Sequence, residues 1–155
     1  MTVLNENDNA IEFALNSCKE GEISLANIKE DFVILYFYPK DDTPGCTIEA
    51  NEFSSLKQEF DSFSVKILGI SKDDLISHNK FIKKYNLEID LLEDSKNIAE
   101  SYGVWVEKNM YGKKYMGIER TSFLIDKNRK IAKIWKKVKP EGHAKDVLEY
   151  IKSIS

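Results

Sequence analysis

The chain has 155 residues, 42% of them hydrophobic and 32% charged, with 23 Lys and Arg against 26 Asp and Glu. That balance excludes a disordered chain and fits one domain, 1–155, around one sizeable core. The net charge of −3 supplies no basic field for nucleic acid or an anionic membrane surface.

Met1 to Ala10 lacks the basic segment and apolar run of a secretory leader. Glu12-Phe13-Ala14-Leu15 alternates, Asn16 to Gly21 turns and Glu22-Ile23-Ser24 returns, which predicts an N-terminal β-hairpin. Phe32 to Tyr38 is the longest apolar run. It is far short of the ~20 residues of a membrane span and reads as a strand buried on both faces. The expected setting is therefore cytoplasmic. Lys40-Asp41-Asp42-Thr43-Pro44-Gly45-Cys46 follows Pro39, and Ala50, Phe53, Leu56 and Phe60 then recur at helical spacing. Cys46 falls in the first turn of that helix.

Ser64 to Ile70 predicts the next strand, and Asp73-Asp74 opens a helix with Leu75, Phe81, Ile82 and Tyr85 on its apolar face. Ile89 to Leu92 is a short strand, and Asp94-Ser95 opens a short helix that ends near Tyr102-Gly103. Val104 to Gly117 is polar and reads as a loop or extended excursion, with Trp105 as its anchor. Arg120 to Ile125 and Lys130 to Lys136 form a hairpin across Asp126-Lys127-Asn128-Arg129, and Gly142 to Ile154 is a closing helix. The lysines of Lys127 to Lys139 read as a solvated strand face. Alternating strands and helices give an α/β class: a mixed central β-sheet with helices on both faces. Reactive groups of such sheets sit at the carboxyl ends of the strands, which is where Cys46 is placed.

The only cysteines are Cys18 and Cys46. In a reducing compartment two cysteines mark a reactive or a packed thiol more than a disulfide scaffold. Free N–H groups at a helix start favour a thiolate. Thr43 brings a hydroxyl, Pro44 and Gly45 shape the turn, and Pro39 walls the pocket without a competing donor. Of the two arginines, Arg120 opens an apolar strand and Arg129 sits in a polar turn. Arg120 is therefore the candidate fixed donor. His78 and His143 have no cysteine or second histidine beside them and read as surface residues rather than zinc ligands.

Pro39-Lys40-Asp41-Asp42-Thr43-Pro44-Gly45-Cys46 has the pattern P-x-x-x-T-x-x-C, which resembles the active-site motif of peroxiredoxins. Tyr36-Phe37-Tyr38-Pro39-Lys40, Leu68-Gly69-Ile70-Ser71, Tyr102-Gly103-Val104-Trp105 and Gly117-Ile118-Glu119-Arg120-Thr121-Ser122-Phe123-Leu124-Ile125-Asp126 resemble the bacterioferritin-comigratory, or peroxiredoxin Q, subfamily. The resemblance runs from about Glu12 to Ile151. It implies a thioredoxin-like fold and an antioxidant thiol peroxidase for hydrogen peroxide and organic hydroperoxides, with no metal or organic cofactor. Cys46 would be the nucleophile and pass through a sulfenic acid. Thr43 would bond the thiolate and the peroxide, Pro39 would shield the sulfur, and Arg120 would stabilise the charge. Glu49 would hold that arginine, or simply be an acid favoured in a first helical turn.

The subfamily's resolving cysteine is missing: Asn51 stands at one of its positions, and no cysteine lies in Leu75 to Tyr85. Resolution then falls to Cys18 or to an outside thiol, with thioredoxin, glutaredoxin or a small thiol as reductant. A monomer is expected, with a weak dimer as the alternative. Two rival readings remain. A dithiol oxidoreductase needs C-x-x-C, absent here; a non-catalytic module keeping the fold is separated by the Cys46→Ser variant.

Overall fold

The structure is a computed structural model that describes residues 3–155. Met1 and Thr2, the start of the stretch read above as free of a leader pattern, lie outside them. The strands are β1 (Ala14–Ser17), β2 (Gly21–Ser24), β3 (Phe32–Phe37), β4 (Val65–Ser71), β5 (Asp90–Glu93), β6 (Trp105–Met110), β7 (Lys113–Ile118), β8 (Thr121–Ile125) and β9 (Ile131–Trp135). The helices are α1 (Pro44–Ser55), α2 (Lys57–Ser62), α3 (Leu75–Tyr85), α4 (Ile98–Ser101) and α5 (His143–Ile154). Seven strands form one sheet in the order β2-β1-β5-β4-β3-β8-β9, and β6-β7 stands as a separate pair. β3, β4 and β5 run parallel, while β8 and β9 are antiparallel additions.

The expectation of helices on both faces is met, and β3 shows why. Ile34, Tyr36 and Tyr38 face a core built with Ala50 and Phe53 of α1, Phe60 of α2, Phe81 of α3 and Val147 of α5. Val33, Leu35 and Phe37 face the opposite core, with Phe13, Leu25, Ile98 and Tyr102. A strand with two buried faces has no polar residue to alternate. Gly69 on neighbouring β4 has its own reason. A Cβ there would lie 2.7 Å from the Tyr36 ring and from Leu91, so only glycine admits the tyrosine.

Two readings from sequence are corrected here. The helix after Cys46 does not continue to Phe60 but breaks at Leu56. Ser55 Oγ donates to the Glu52 carbonyl and Ser54 Oγ accepts from the Glu88 N–H, local bonds that compete with helix continuation. The excursion from Val104 to Gly117 is a regular antiparallel hairpin. Its two-residue turn, Tyr111-Gly112, has both φ angles positive, at 53° and 81°, the geometry that matches strand twist. Trp105 packs against the core and carries Lys72 Nζ 5.1 Å from its ring centroid.

β9 is the outermost strand on its side. The N-terminal segment runs along its free edge: Asn7 N–H donates to the Ile131 carbonyl, Ile131 N–H donates to Asp8, and the Glu6 carboxylate accepts from Ile134 N–H.

Candidate active site

β3 ends at Phe37, a loop runs through Tyr38 to Thr43, and α1 begins at Pro44. Thr43 is the N-cap, and proline at the first helical position fits because its missing N–H would be unpaired there anyway. Cys46 is the third helical residue and is 1% exposed. The sheet register brings its partner. Phe37 pairs with Thr121, so Arg120, just before β8, lies level with the start of the loop although it is remote in sequence.

Arg120 Nη2 donates to Cys46 Sγ at 3.3 Å, and its Nη1 donates to Glu49 Oε1 at 2.7 Å. One guanidinium thus holds the sulfur and a carboxylate one helical turn further on, which a point charge cannot do. Gly45 makes room for it: a Cβ at that position would lie 3.1 Å from Arg120 Nη2 and 3.1 Å from Pro140 Cγ. Thr43 Oγ1 donates to the Lys40 carbonyl at 2.9 Å. In this arrangement the local carbonyl, not the sulfur, takes its proton. The hydroxyl keeps its lone pairs and can accept a hydrogen bond from a ligand. Pro39 is half-buried at the start of the same loop.

Glu49 is fully buried, and among the described residues its Oε2 has no hydrogen-bond partner; neither has the buried Tyr36 hydroxyl. Burial pushes the Glu49 carboxyl up from 4.5 to about 7, with Arg120 opposing. The folded state therefore holds a proton that the unfolded chain releases. The resulting stability is complete below pH 4.5 and is lost as pH rises through about 7. Glu49→Gln keeps Oε1 and cannot ionise. It is expected to unfold with a weaker pH dependence than the parent and to be more stable by about 3 kcal/mol at mildly alkaline pH. Urea unfolding at acid, neutral and mildly alkaline pH measures this.

Cys18 does not join the site. Ser17, Leu92, Ile70 and Phe37 lie in one row across the sheet, three strand spacings or about 14 Å wide. Cys46 lies beyond Phe37. β1 runs antiparallel to β5, so Cys18 heads toward the opposite end of the parallel strands. A disulfide needs Cα atoms within ~7 Å. Burial, then the charges of Asp90 and Asp41, push the Cys18 thiol up to about 12, which leaves little thiolate.

The two histidines are corrected: neither is on the surface. His143, at the start of α5, is 3% exposed, and its Nε2 lies 2.7 Å from Ser122 Oγ. Burial pushes it down to about 4. His78 on α3 is 0% exposed and lies 2.7 Å from Asp41 Oδ2. With Asp73 these two form a cluster of potential ligand atoms within 4.8 Å of one another. Both nitrogens of His78 and the facing carboxylate oxygens are already engaged in hydrogen bonds. Lys108 of β6 was not singled out from sequence. Burial first, then the charge of Arg120, push it below the ordinary lysine value. Nothing in its local sequence signals that.

The AhpC/TSA family pattern matches residues 7–134. The chain belongs to the AhpC/TSA family, among the peroxiredoxins. A Coxiella burnetii protein named putative peroxiredoxin bcp is 53% identical over 131 residues, 83% of this chain and 87% of that protein. Peroxiredoxin Bcp of Escherichia coli is 37% identical over 98% of each chain. A mutant of Xylella fastidiosa PrxQ superposes with a TM-score of 0.93 at 33% identity, over 99% of both chains. The peroxiredoxin therefore has the thioredoxin-like fold and is a thiol-dependent peroxidase.

Proposed function

We propose that this peroxiredoxin reduces hydrogen peroxide and alkyl hydroperoxides with Cys46, and that a thiol from outside the chain regenerates it. The observation that carries this reading is the 3.3 Å bond from Arg120 to Cys46 Sγ. It sets a fixed cation against the sulfur, which has no disulfide partner.

Cys46, as thiolate, attacks the terminal oxygen of the hydroperoxide. A sulfur–oxygen bond forms, the oxygen–oxygen bond breaks, and the leaving alkoxide or hydroxide takes a proton to become alcohol or water. Arg120 stabilises the negative charge as it passes from sulfur to the leaving oxygen. Thr43 Oγ1 accepts the hydrogen bond of the peroxide O–H, and Pro39 keeps water from the sulfur. Glu49 orients Arg120. The sulfenic acid condenses with one outside thiol, releasing water. A second thiol then displaces that disulfide and returns Cys46.

The reductant is thioredoxin, glutaredoxin or a small thiol, in a cytoplasmic setting where these are kept reduced. A yeast mitochondrial 1-Cys peroxiredoxin described for thiol resolution through glutathione and thioredoxin systems superposes at TM-score 0.83 and 27% identity. A Xanthomonas campestris bacterioferritin comigratory protein described for alkyl peroxide reduction does so at 0.86 and 38%. Among the described residues no helix is long and apolar enough to cross a membrane. The chain is read as a single domain that works as a monomer, with a weak dimer as the alternative.

Mass analysis of the reduced protein after one equivalent of hydrogen peroxide tests the cycle. One added oxygen on Cys46 within seconds, with Cys18 still a thiol, is the expected result. A rapid Cys18–Cys46 disulfide would overturn outside resolution, and an unreacted Cys46 would overturn the peroxidase assignment of this residue.

A further inference from the structure

The loop from Tyr38 to Thr43 carries Pro39 and Thr43, and two hydrogen bonds hold it locally, Tyr38 to Asp41 and Thr43 to Lys40. Asp42 takes a left-handed φ of 57°. Further support comes from α3. Asp41 is buried and accepts from the Tyr38 hydroxyl at 2.5 Å and from Ser77 Oγ at 2.8 Å, and its Oδ2 lies 2.7 Å from His78 Nδ1. His78 Nε2 lies 3.0 Å from the Leu92 carbonyl. A carbonyl only accepts, so Nε2 carries hydrogen, and one proton sits between Nδ1 and the carboxylate. His78 thus bridges the end of β5 to the loop through two buried hydrogen bonds. Further out, Lys84 and Tyr85 hold the Asp42 carboxylate at 2.8 and 2.6 Å. That pair is exposed and screened, so the main holds are the buried bridge and the Asp41 N–H, which donates to Asp73 Oδ2 at 2.8 Å.

This hold meets a demand of the reaction. Cys46 is 1% exposed, and a thiol brought by another molecule needs a straight path to the oxidised sulfur. The loop must therefore stay closed for the peroxide and open for the thiol. We propose that His78 is a positioning residue that, through Asp41, holds the Pro39–Thr43 loop in the peroxide-reactive arrangement and governs when it opens to the outside thiol. The proposal rests on the peroxidase reading above. It makes a demand that plain loss of stability does not: weakening the bridge slows the peroxide step and speeds the thiol step.

Two substitutions separate the halves of the bridge. His78→Asn places a donor where Nδ1 stood and keeps the bond to Asp41. His78→Gln places one where Nε2 stood, keeps the bond to Leu92 and loses Asp41. Both bury an amide in the same site. Stopped-flow fluorescence gives the rate of Cys46 oxidation by hydrogen peroxide, and a second mixing with dithiothreitol gives the rate of sulfenic acid reduction. Relative to His78→Asn, His78→Gln is expected to oxidise about 10-fold more slowly and to be reduced about 10-fold faster. Equal rates in the two variants, or both steps moving in one direction, overturn the proposal. Tyr38→Phe removes one donor from Asp41. It shows the same opposed shifts at smaller size, and decides the matter should His78→Gln not fold. Failure of the parent protein to oxidise at Cys46 overturns the peroxidase reading itself and this proposal with it, a result distinct from the others.

Discussion

Cys46→Ser leaves hydroperoxide consumption at the uncatalysed rate, while Cys18→Ser turns over as the parent does. Sulfur can accept an oxygen and later lose it as water when a thiol attacks; a serine hydroxyl can do neither. The exchange is nearly isosteric in a buried position, so the sheet and α1 persist and the loss belongs to the chemistry. Cys18 follows Ser17 at the far end of the row that ends at Phe37, three strands away from it, and its thiol is pushed up to about 12. It therefore offers neither reach nor nucleophile. Peroxide loss in the presence of excess dithiothreitol measures both variants. Turnover by Cys46→Ser would return the non-catalytic reading of this residue to the front.

Arg120→Met is expected to lower the second-order rate constant for hydrogen peroxide by about 10²–10³-fold, the scale for removing one fixed donor from a developing negative charge. The side chain is similar in length, so the loss is of hydrogen bonds and charge. One complication is built into the site. Without Arg120 the buried Glu49 has no cation, and that alone disturbs α1. The same substitution made in a Glu49→Gln protein removes the complication, and the rate loss persists there. Arg120→Lys recovers only part of the rate, because an ammonium cannot donate to Cys46 and Glu49 from two fixed positions. Pseudo-first-order oxidation traces at several peroxide concentrations measure all three.

Much of the fold is legible because its signals are local. The apolar run Phe32 to Tyr38 is a central strand with two cores, and the Asp74 cap fixes the start of α3 by accepting from Ser77 N–H. Cys46 at the head of α1 and Arg120 at the head of β8 follow from the same kind of reading. What escaped is set by partners far along the chain. His78 is buried by Asp41 and Leu92, and His143 by Ser122, Phe53 and Trp135; none of these lies beside its histidine in sequence. The β6-β7 hairpin escaped because it joins no core sheet and exposes residues on both faces, such as Tyr115 and Met116. The alternation that reveals a half-buried strand is then missing. The bond of Thr43 to Lys40 depends on one hydroxyl rotor, which no pattern of residues encodes.

The segment along β9 has a consequence for the molecule in a crowded solution. An outermost strand with free N–H and C=O groups is a template on which a second sheet can grow. Here the backbone groups of Ile131 and the N–H of Ile134 are taken by Asn7, Asp8 and Glu6. Lys130, Lys136, Lys137 and Lys139 stand exposed around the same border. Two such borders brought together would set one row of ammonium groups against another. Sheet-to-sheet polymerisation through this side is thereby blocked twice, by a covering strip of the chain's own backbone and by charge.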